Sequence, residues 1–239
     1  MTKGDVKRWK GENTEMQREN SQNFRTRKGH NSLFTFSVRE LAASTLLGTL
    51  SIFFVFFPDV RLPWGMAALD FIAVPWVIAF LLFGLKAGLL ASLIGTLGIF
   101  FFSEEAVPFI GATMKFSASI PLIVIPAVIF NFSRFRLYNE AVKMKKVYAF
   151  SMGIAVVVRC FVTMFLNYYW AIPLMFGLSP VDVPTSFNWF FWGSQMNPDP
   201  LTYYVLGVSL WNTWQGIIDA VVAWLIVYPT KLYKQYGMR

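Results

Sequence analysis

Charge is what this sequence has little of. Only 14% of its 239 residues are Asp, Glu, Lys or Arg, against roughly 25% in a soluble domain. A water-soluble chain of this length still has to cover its core with polar surface, and there are too few charges here to do it. Cysteine and histidine are scarcer still, with one of each, Cys160 and His30. A lone cysteine excludes an intrachain disulfide and a cysteine-only metal site. Cys160 lies in an apolar run and reads as packing. No His/Cys ligand spacing, glycine-rich phosphate loop or G-x-S-x-G turn occurs, so the motifs give no covalent catalysis and no ATP hydrolysis to this chain.

In place of charge there is apolar surface. Hydrophobic residues make up 56% of the chain and aromatics 18%, with 25 Phe, 9 Trp and 9 Tyr. This composition reads as an all-α integral membrane protein. The net charge of +8 does not point to nucleic acid, because its distribution follows the gaps between apolar runs. Nine Lys/Arg fall in 1–39, five in 134–146 and three in 231–239.

The runs predict a six-transmembrane-helix bundle over 37–230, between a polar cytoplasmic tail, 1–36, and a short C-terminal tail, 231–239. The expected spans run from about Ser37 to Phe57, from Met66 to the turn "FGLKAG", from Leu85 to Phe102, from Phe109 to Phe130, from Val147 to Trp170 and from Leu201 to Tyr228. About 20 residues at 1.5 Å each cross a hydrocarbon core of about 30 Å. The basic segments all fall on one side of this arrangement. The other side carries Arg61 against Asp59, Glu104, Glu105, Asp182 and Asp199. Positive charge retained on the inside then predicts that both termini are cytoplasmic in a multi-pass protein of the cell membrane.

Polar groups inside apolar spans are costly and need a reason. Lys115, Asn167, Asn212 and Gln215 all fall toward the outer ends of the last three spans. With Trp64, Tyr168, Trp170, Trp211 and Trp214 nearby in sequence, they predict a pocket for a small planar ligand. The alternative is polar glue between helices plus an aromatic belt at the interface. Arg159 and Asp219 fall deeper and are expected to pair. A proton or cation relay is the other reading of that couple. Asp70, at the outer start of span two, is read as a helix cap or a shaper of the first loop. In span one, Ala43, Ser44 and Gly48 form a small-residue face, suited either to packing within the bundle or to docking on a partner.

Four stretches carry a family resemblance: "LDFIAVPWVIAFLLFGLKAG", "PFIGATMKFSASIPLIVIPAVIF", "NYYWAIPLMFG" and "WNTWQGIIDAVVAWLIVYPTKLYK". In order and spacing, over about Ser37 to Lys234, they resemble the substrate-binding S-components of energy-coupling factor (ECF) vitamin transporters, most of all the riboflavin-specific group. The resemblance implies a vitamin pocket near the extracellular face, covered by the first outer loop. It implies a transmembrane coupling subunit and two cytoplasmic ATPase subunits as partners, with Ala43, Ser44 and Gly48 meeting the coupling subunit. It also implies that Asn167 and Asn212 contact a flavin ring, with riboflavin as bound substrate and no cofactor. The resembling group carries lysine where Gln215 stands. Two readings follow and both stay open: Lys115 supplies the cation from span four, or the substrate is another planar vitamin. A stand-alone secondary transporter is the remaining alternative.

Overall fold

In the computed structural model the described residues are 36–57, 60–61, 67–103, 107–132, 145–189 and 199–232. Trp64, the tail 1–35 and the basic segment 133–144, on which some of the expectations fall, lie outside the described residues. The first helix, α1, is Val38–Val55. It buries Ser44, Gly48 and Ser51, a narrow stripe of small side chains at helical spacing. Next come two short antiparallel strands, β1 (Val60–Arg61) and β2 (Ala67–Leu69). They lead into α2, Val74–Phe83, every residue of which is buried. Gly84, at a φ of 90°, turns the chain at once into α3, Leu85–Phe102. That left-handed φ suits a residue without a Cβ.

Small residues explain how α1 and α3 come together. The buried face of α3 is Ala87, Gly88, Ala91, Ser92, Gly95, Gly98 and Ile99. A Cβ on Gly48 would come within 2.8 Å of Ile94, and one on Gly98 would overlap Ile52. The Trp76 indole N–H of α2 donates to Ser51 Oγ at 2.8 Å, just where a Cβ on Gly95 would intrude. The small-residue face of α1 is therefore occupied by α3 of the same chain. Of the two readings of Ala43, Ser44 and Gly48, this arrangement puts Ser44 and Gly48, both fully buried, into intrachain packing, with Ala43 half-buried against the same core.

The next span comes in two pieces, α4 (Pro108–Ser119) and α5 (Pro121–Phe132). Pro121 has no N–H to continue the ladder, which accounts for the break at Ile120. α6 is Lys145–Leu166. It widens into a π-helical turn, Asn167–Ala171, and continues as α7, Ile172–Phe176. In that turn the Ile172 N–H bonds back to Asn167 O. Pro173 follows directly, and its missing N–H and its ring both disfavour a regular turn at this point. A 3₁₀ turn at Pro180–Asp182 and a one-turn helix, α8 (Val183–Ser186), lead toward the last helix, α9, Pro200–Val227.

Among the described residues, five helical stretches are long and apolar enough to span a membrane: Val38–Val55, Leu85–Phe102, Pro108–Phe130, Lys145–Phe176 and Pro200–Val227. α2 is apolar but shorter. Phe53, Leu97, Phe101, Phe161, Phe165, Leu206 and Leu225 point outward and are more than half exposed, as expected of side chains that meet lipid. The chain is an all-α multi-pass membrane protein.

One expectation needs correction. Span two is not helical where it was expected to be: Ala67–Leu69 is a strand paired with Val60–Arg61, and the helix starts only at Val74. Hydropathy alone reads an apolar extended segment and an apolar helix alike.

Candidate functional site

Two polar stripes face each other across the interior. On α6 and its π turn, the buried residues Ala155, Arg159, Thr163 and Asn167 recur every four positions. On α9 the buried set includes Val208, Gln215, Gly216 and Asp219. Both helices are otherwise mostly apolar, so every polar group on these stripes needs a partner inside the protein or in a ligand.

Most find one in the protein. Arg159 Nη1 lies 3.4 Å from Asp219 Oδ2, and Arg159 Nε donates to Asn212 Oδ1 at 3.3 Å. The Asn212 amide N–H donates one turn back to Val208 O at 2.9 Å. Gln215 Nε2 donates to Asp219 Oδ1 at 2.9 Å and to the backbone carbonyl of Asp70 at 2.8 Å, while its Oε1 accepts the Asp70 N–H at 2.9 Å. Lys115 Nζ, reaching from α4, sits 2.6 Å from both carboxylate oxygens of Asp70. Asp70 Oδ1 also accepts the Ile72 N–H at 2.8 Å, which shapes the entry to α2. Lys115, Asp70, Gln215, Asp219, Arg159 and Asn212 thus form one connected chain of charges and amides.

Asn167 stands apart from this chain. It is 2% exposed, and among the described residues its Oδ1 has no hydrogen-bond partner. It lies eight residues beyond Arg159, about 12 Å along the helix axis. The four polar residues expected at one level therefore divide: Lys115 and Gln215 meet through Asp70, Asn212 meets Arg159, and Asn167 lies further along α6.

The aromatic residues divide as well. Tyr168 packs against Tyr204 with ring centroids 5.7 Å apart, and the Tyr204 hydroxyl donates to Met164 O at 2.6 Å. The Trp211 indole donates to Trp189 O at 2.9 Å. Trp170 meets Phe109 edge-on. Trp214, by contrast, is 54% exposed, in an outward stripe with Ile217, Val221 and Leu225. It turns away from the polar chain and toward the lipid side of α9.

Two residues matter more here than the sequence reading assigned. Asp70, read as a helix cap or a shaper of the first loop, bonds Ile72 at the entry to α2 and also joins α4 and α9 there. Trp189, from the loop before α9, is fully buried against Tyr204, Ile172 and Val208, and its indole donates to Pro184 O at 3.2 Å. A signal for its seat was Gly207, where a Cβ would overlap Trp189. Cys160 is buried, with Sγ 3.4 Å from Thr213 Oγ1 between α6 and α9, a packing position. Among the described residues no group of three or more His, Cys, Asp or Glu gathers into a metal site.

A half-span helix entered by extended chain, with amides and paired charges around the junction, is an arrangement found in membrane proteins that hold small molecules. Comparison with known proteins agrees. A solved structure of the S component of a bacterial ECF transporter superimposes with a TM-score of 0.60 at 21% identity, covering 82% of this chain and 97% of that one. No curated protein matches the sequence. The family model for the substrate-specific component of ECF transporters matches residues 39–227, the whole helical region from α1 to the end of α9. The chain belongs to the family of substrate-specific components of ECF transporters.

Proposed function

We propose that this chain captures riboflavin at the hairpin end of the bundle and delivers it to an ATP-driven uptake system. The observation that carries the choice of ligand is Asn167, a buried amide whose Oδ1 has no hydrogen-bond partner among the described residues. A buried unpartnered acceptor costs about 1–3 kcal/mol, and a ligand N–H removes that cost on binding. Asn212 is the second contact, with Tyr168 and Trp211 as ring surfaces. The charge balance favours a neutral ligand. Both interior cations already have carboxylate partners, Lys115 with Asp70 and Arg159 with Asp219. Recognition then falls to amides and aromatic rings, which suits the uncharged, planar ring system of riboflavin, with its N–H and carbonyl groups.

In this reading α2 counts as the sixth span, completed by the hairpin arm, and both termini are cytoplasmic. The substrate is taken from outside. The bound bundle reorients against a transmembrane coupling subunit, and two cytoplasmic ATPase subunits supply the energy. In this reading Asn167 and Asn212 are the principal polar contacts, while Lys115 and Gln215, also expected at the ligand, hold Asp70 at its edge.

The test is purification in detergent followed by riboflavin titration, read by quenching of flavin fluorescence. Saturable one-to-one binding is expected. No saturable binding would overturn the riboflavin assignment. Uptake measured with and without the coupling and ATPase subunits separates this system from a stand-alone transporter. Ion-gradient-driven uptake by this chain alone would overturn the assembly.

A further inference from the structure

Arg159 offers more hydrogen bonds than the protein accepts from it. A guanidinium carries five N–H donors and no acceptor. Among the described residues two of the five are used: Nε–H goes to Asn212 Oδ1 at 3.3 Å, and one Nη1–H goes to Asp219 Oδ2 at 3.4 Å. Both are long for bonds from a charged donor. The other three, one on Nη1 and two on Nη2, meet no acceptor among those residues, although Arg159 is only 3% exposed. Asp219 is fully engaged by comparison, with Oδ1 on the Gln215 amide and Oδ2 on Arg159. The Arg159 side chain keeps 4% of its surface accessible and that of Asp219 keeps none, so the space left at this pair lies on the guanidinium side.

The groups around that space have one polarity. The guanidinium sits between the levels of Asn212 and Asp219 on α9, close to Gly216, where a Cβ would lie 3.5 Å from Arg159 Cδ. Asn212 must turn Oδ1 toward Arg159, because a guanidinium cannot accept. Its Nδ2 donates one N–H to Val208 O, and the second N–H meets no acceptor among the described residues. Arg159 and Asn212 therefore offer donors. Eight residues further along α6, Asn167 Oδ1 offers an acceptor that no described residue uses. The interior has a donor end and an acceptor end, about 12 Å apart along the helix axis.

We infer that Arg159 is a ligand-binding residue whose unused N–H groups take neutral acceptor oxygens at the end of the ligand remote from Asn167. The inference rests on the riboflavin-capture reading and orients the ligand within it. The one ring N–H of riboflavin goes to Asn167. The ring carbonyls flank that N–H and stay with it. The oxygens that reach Arg159 are the hydroxyls of the ribityl chain, on the far side of the ring. Hydroxyls suit this place better than a carboxylate or phosphate. Asp219 already balances the charge of Arg159, and a second buried anion would stand beside it without a cation of its own. A hydroxyl oxygen satisfies donors that burial otherwise leaves unmet.

The experiment measures affinities for riboflavin and for lumiflavin, which has the same ring with a methyl group in place of the ribityl chain, by fluorescence quenching in detergent. It compares wild type with Arg159→Lys, with the double variant Arg159→Met, Asp219→Leu, and with Asn167→Ala. Wild type is expected to prefer riboflavin by about 10- to 150-fold, the scale of one hydrogen bond from a charged group. The double variant removes both charges together and strands neither. There the preference should fall to within about twofold of parity, because lumiflavin has no group for Arg159 to hold. Arg159→Lys keeps the charge opposite Asp219 and loses the planar fork, so the preference should fall with the fold intact. Asn167→Ala should weaken both flavins by the same factor and leave the preference as in wild type, since the ring N–H is common to both. A preference unchanged in the double variant and in Arg159→Lys would overturn the inference even where both affinities drop, because a purely structural ion pair gives that result. Equal affinities in wild type, or a preference lost in Asn167→Ala alone, would also overturn it. If wild type binds neither flavin, the riboflavin reading itself fails and this inference with it.

Discussion

Arg159 and Asp219 face each other between α6 and α9, with 3.4 Å between Nη1 and Oδ2 and almost no contact with the outside. The separation is long for a charge-assisted bond, and each partner has a second neighbour, Asn212 for Arg159 and Gln215 for Asp219. A buried pair of this kind resists the loss of one member far more than the loss of both. Arg159→Met alone is expected to strand the Asp219 carboxylate and cost about 3–5 kcal/mol. The double variant Arg159→Met, Asp219→Leu should recover most of that. Thermal unfolding in one detergent, compared across the two singles and the double, checks it. Equal losses in all three would show that the pairing itself contributes little.

How much of this was legible in the sequence depends on which physical signal each part leaves. The boundaries of α3 coincide with the expected span, Leu85–Phe102, because glycine opens it and "SEE" closes it. α9 begins at Pro200 rather than Leu201, where an aspartate and a proline mark the start. The start of span two was misread because an apolar strand arm and an apolar helix have the same hydropathy. The family was readable from motif order. The polar chain through Asp70 was not, because it depends on two side chains 45 and 145 positions away along the sequence. The outward turn of Trp214 was readable in principle. It shares a stripe with Ile217, Val221 and Leu225, while Asn212, Gln215 and Asp219 share another.

The meeting of α1, α2 and α3 leaves no room at Gly95. A Cβ there would overlap Ser51 Oγ and the Trp76 indole, which are themselves hydrogen-bonded. Gly95→Ala is expected to destabilise by about 1–3 kcal/mol, the usual cost of overpacking. Gly153→Ala serves as the control, since a Cβ at that position meets nothing within 4 Å. Unfolding midpoints of the two variants in the same detergent should differ clearly, with Gly153→Ala at or slightly above wild type because alanine favours the helix. Indistinguishable midpoints would mean that α1 and α3 pack less closely than the structure has them.

The start of α9 should respond to pH. Asp199 accepts bonds from the Thr202 hydroxyl and from the backbone N–H groups of Thr202 and Leu201. These bonds, the Thr202 hydroxyl first among them, hold its carboxyl below the usual carboxylate range. A carboxylate whose folded-state pKa is depressed contributes stability that is fully present above its unfolded pKa. That contribution is lost as pH falls through the folded value. Protection of the Leu201 and Thr202 amides against exchange should therefore hold at neutral pH and fall only in strong acid. In Asp199→Ala it should be low at every pH. Because Asp199 is fully exposed, the effect should stay within the first turn of α9, leaving the global unfolding midpoint nearly unmoved.

Asn167 and Asn212 differ in how far the protein already satisfies them, and this predicts that the same substitution lowers affinity at both but ligand-free stability only at Asn212. Asn212 Oδ1 accepts from Arg159 and its amide N–H reaches Val208 O. Replacing it with alanine removes a partner from a buried guanidinium, which should lower the stability of the ligand-free protein by about 1–3 kcal/mol and weaken riboflavin binding as well. Asn167 Oδ1 has no hydrogen-bond partner among the described residues. Its replacement by alanine removes an unsatisfied acceptor and should leave ligand-free stability unchanged or slightly higher, while riboflavin affinity falls by about 5- to 150-fold, the equivalent of ~1–3 kcal/mol. A residue that lowers affinity without lowering stability is one the fold does not need for itself. Unfolding midpoints without riboflavin, set beside titrations with it, separate the two roles. If Asn167→Ala loses stability and keeps its affinity, the ligand does not reach the π turn, and Asn167 is not a ligand contact.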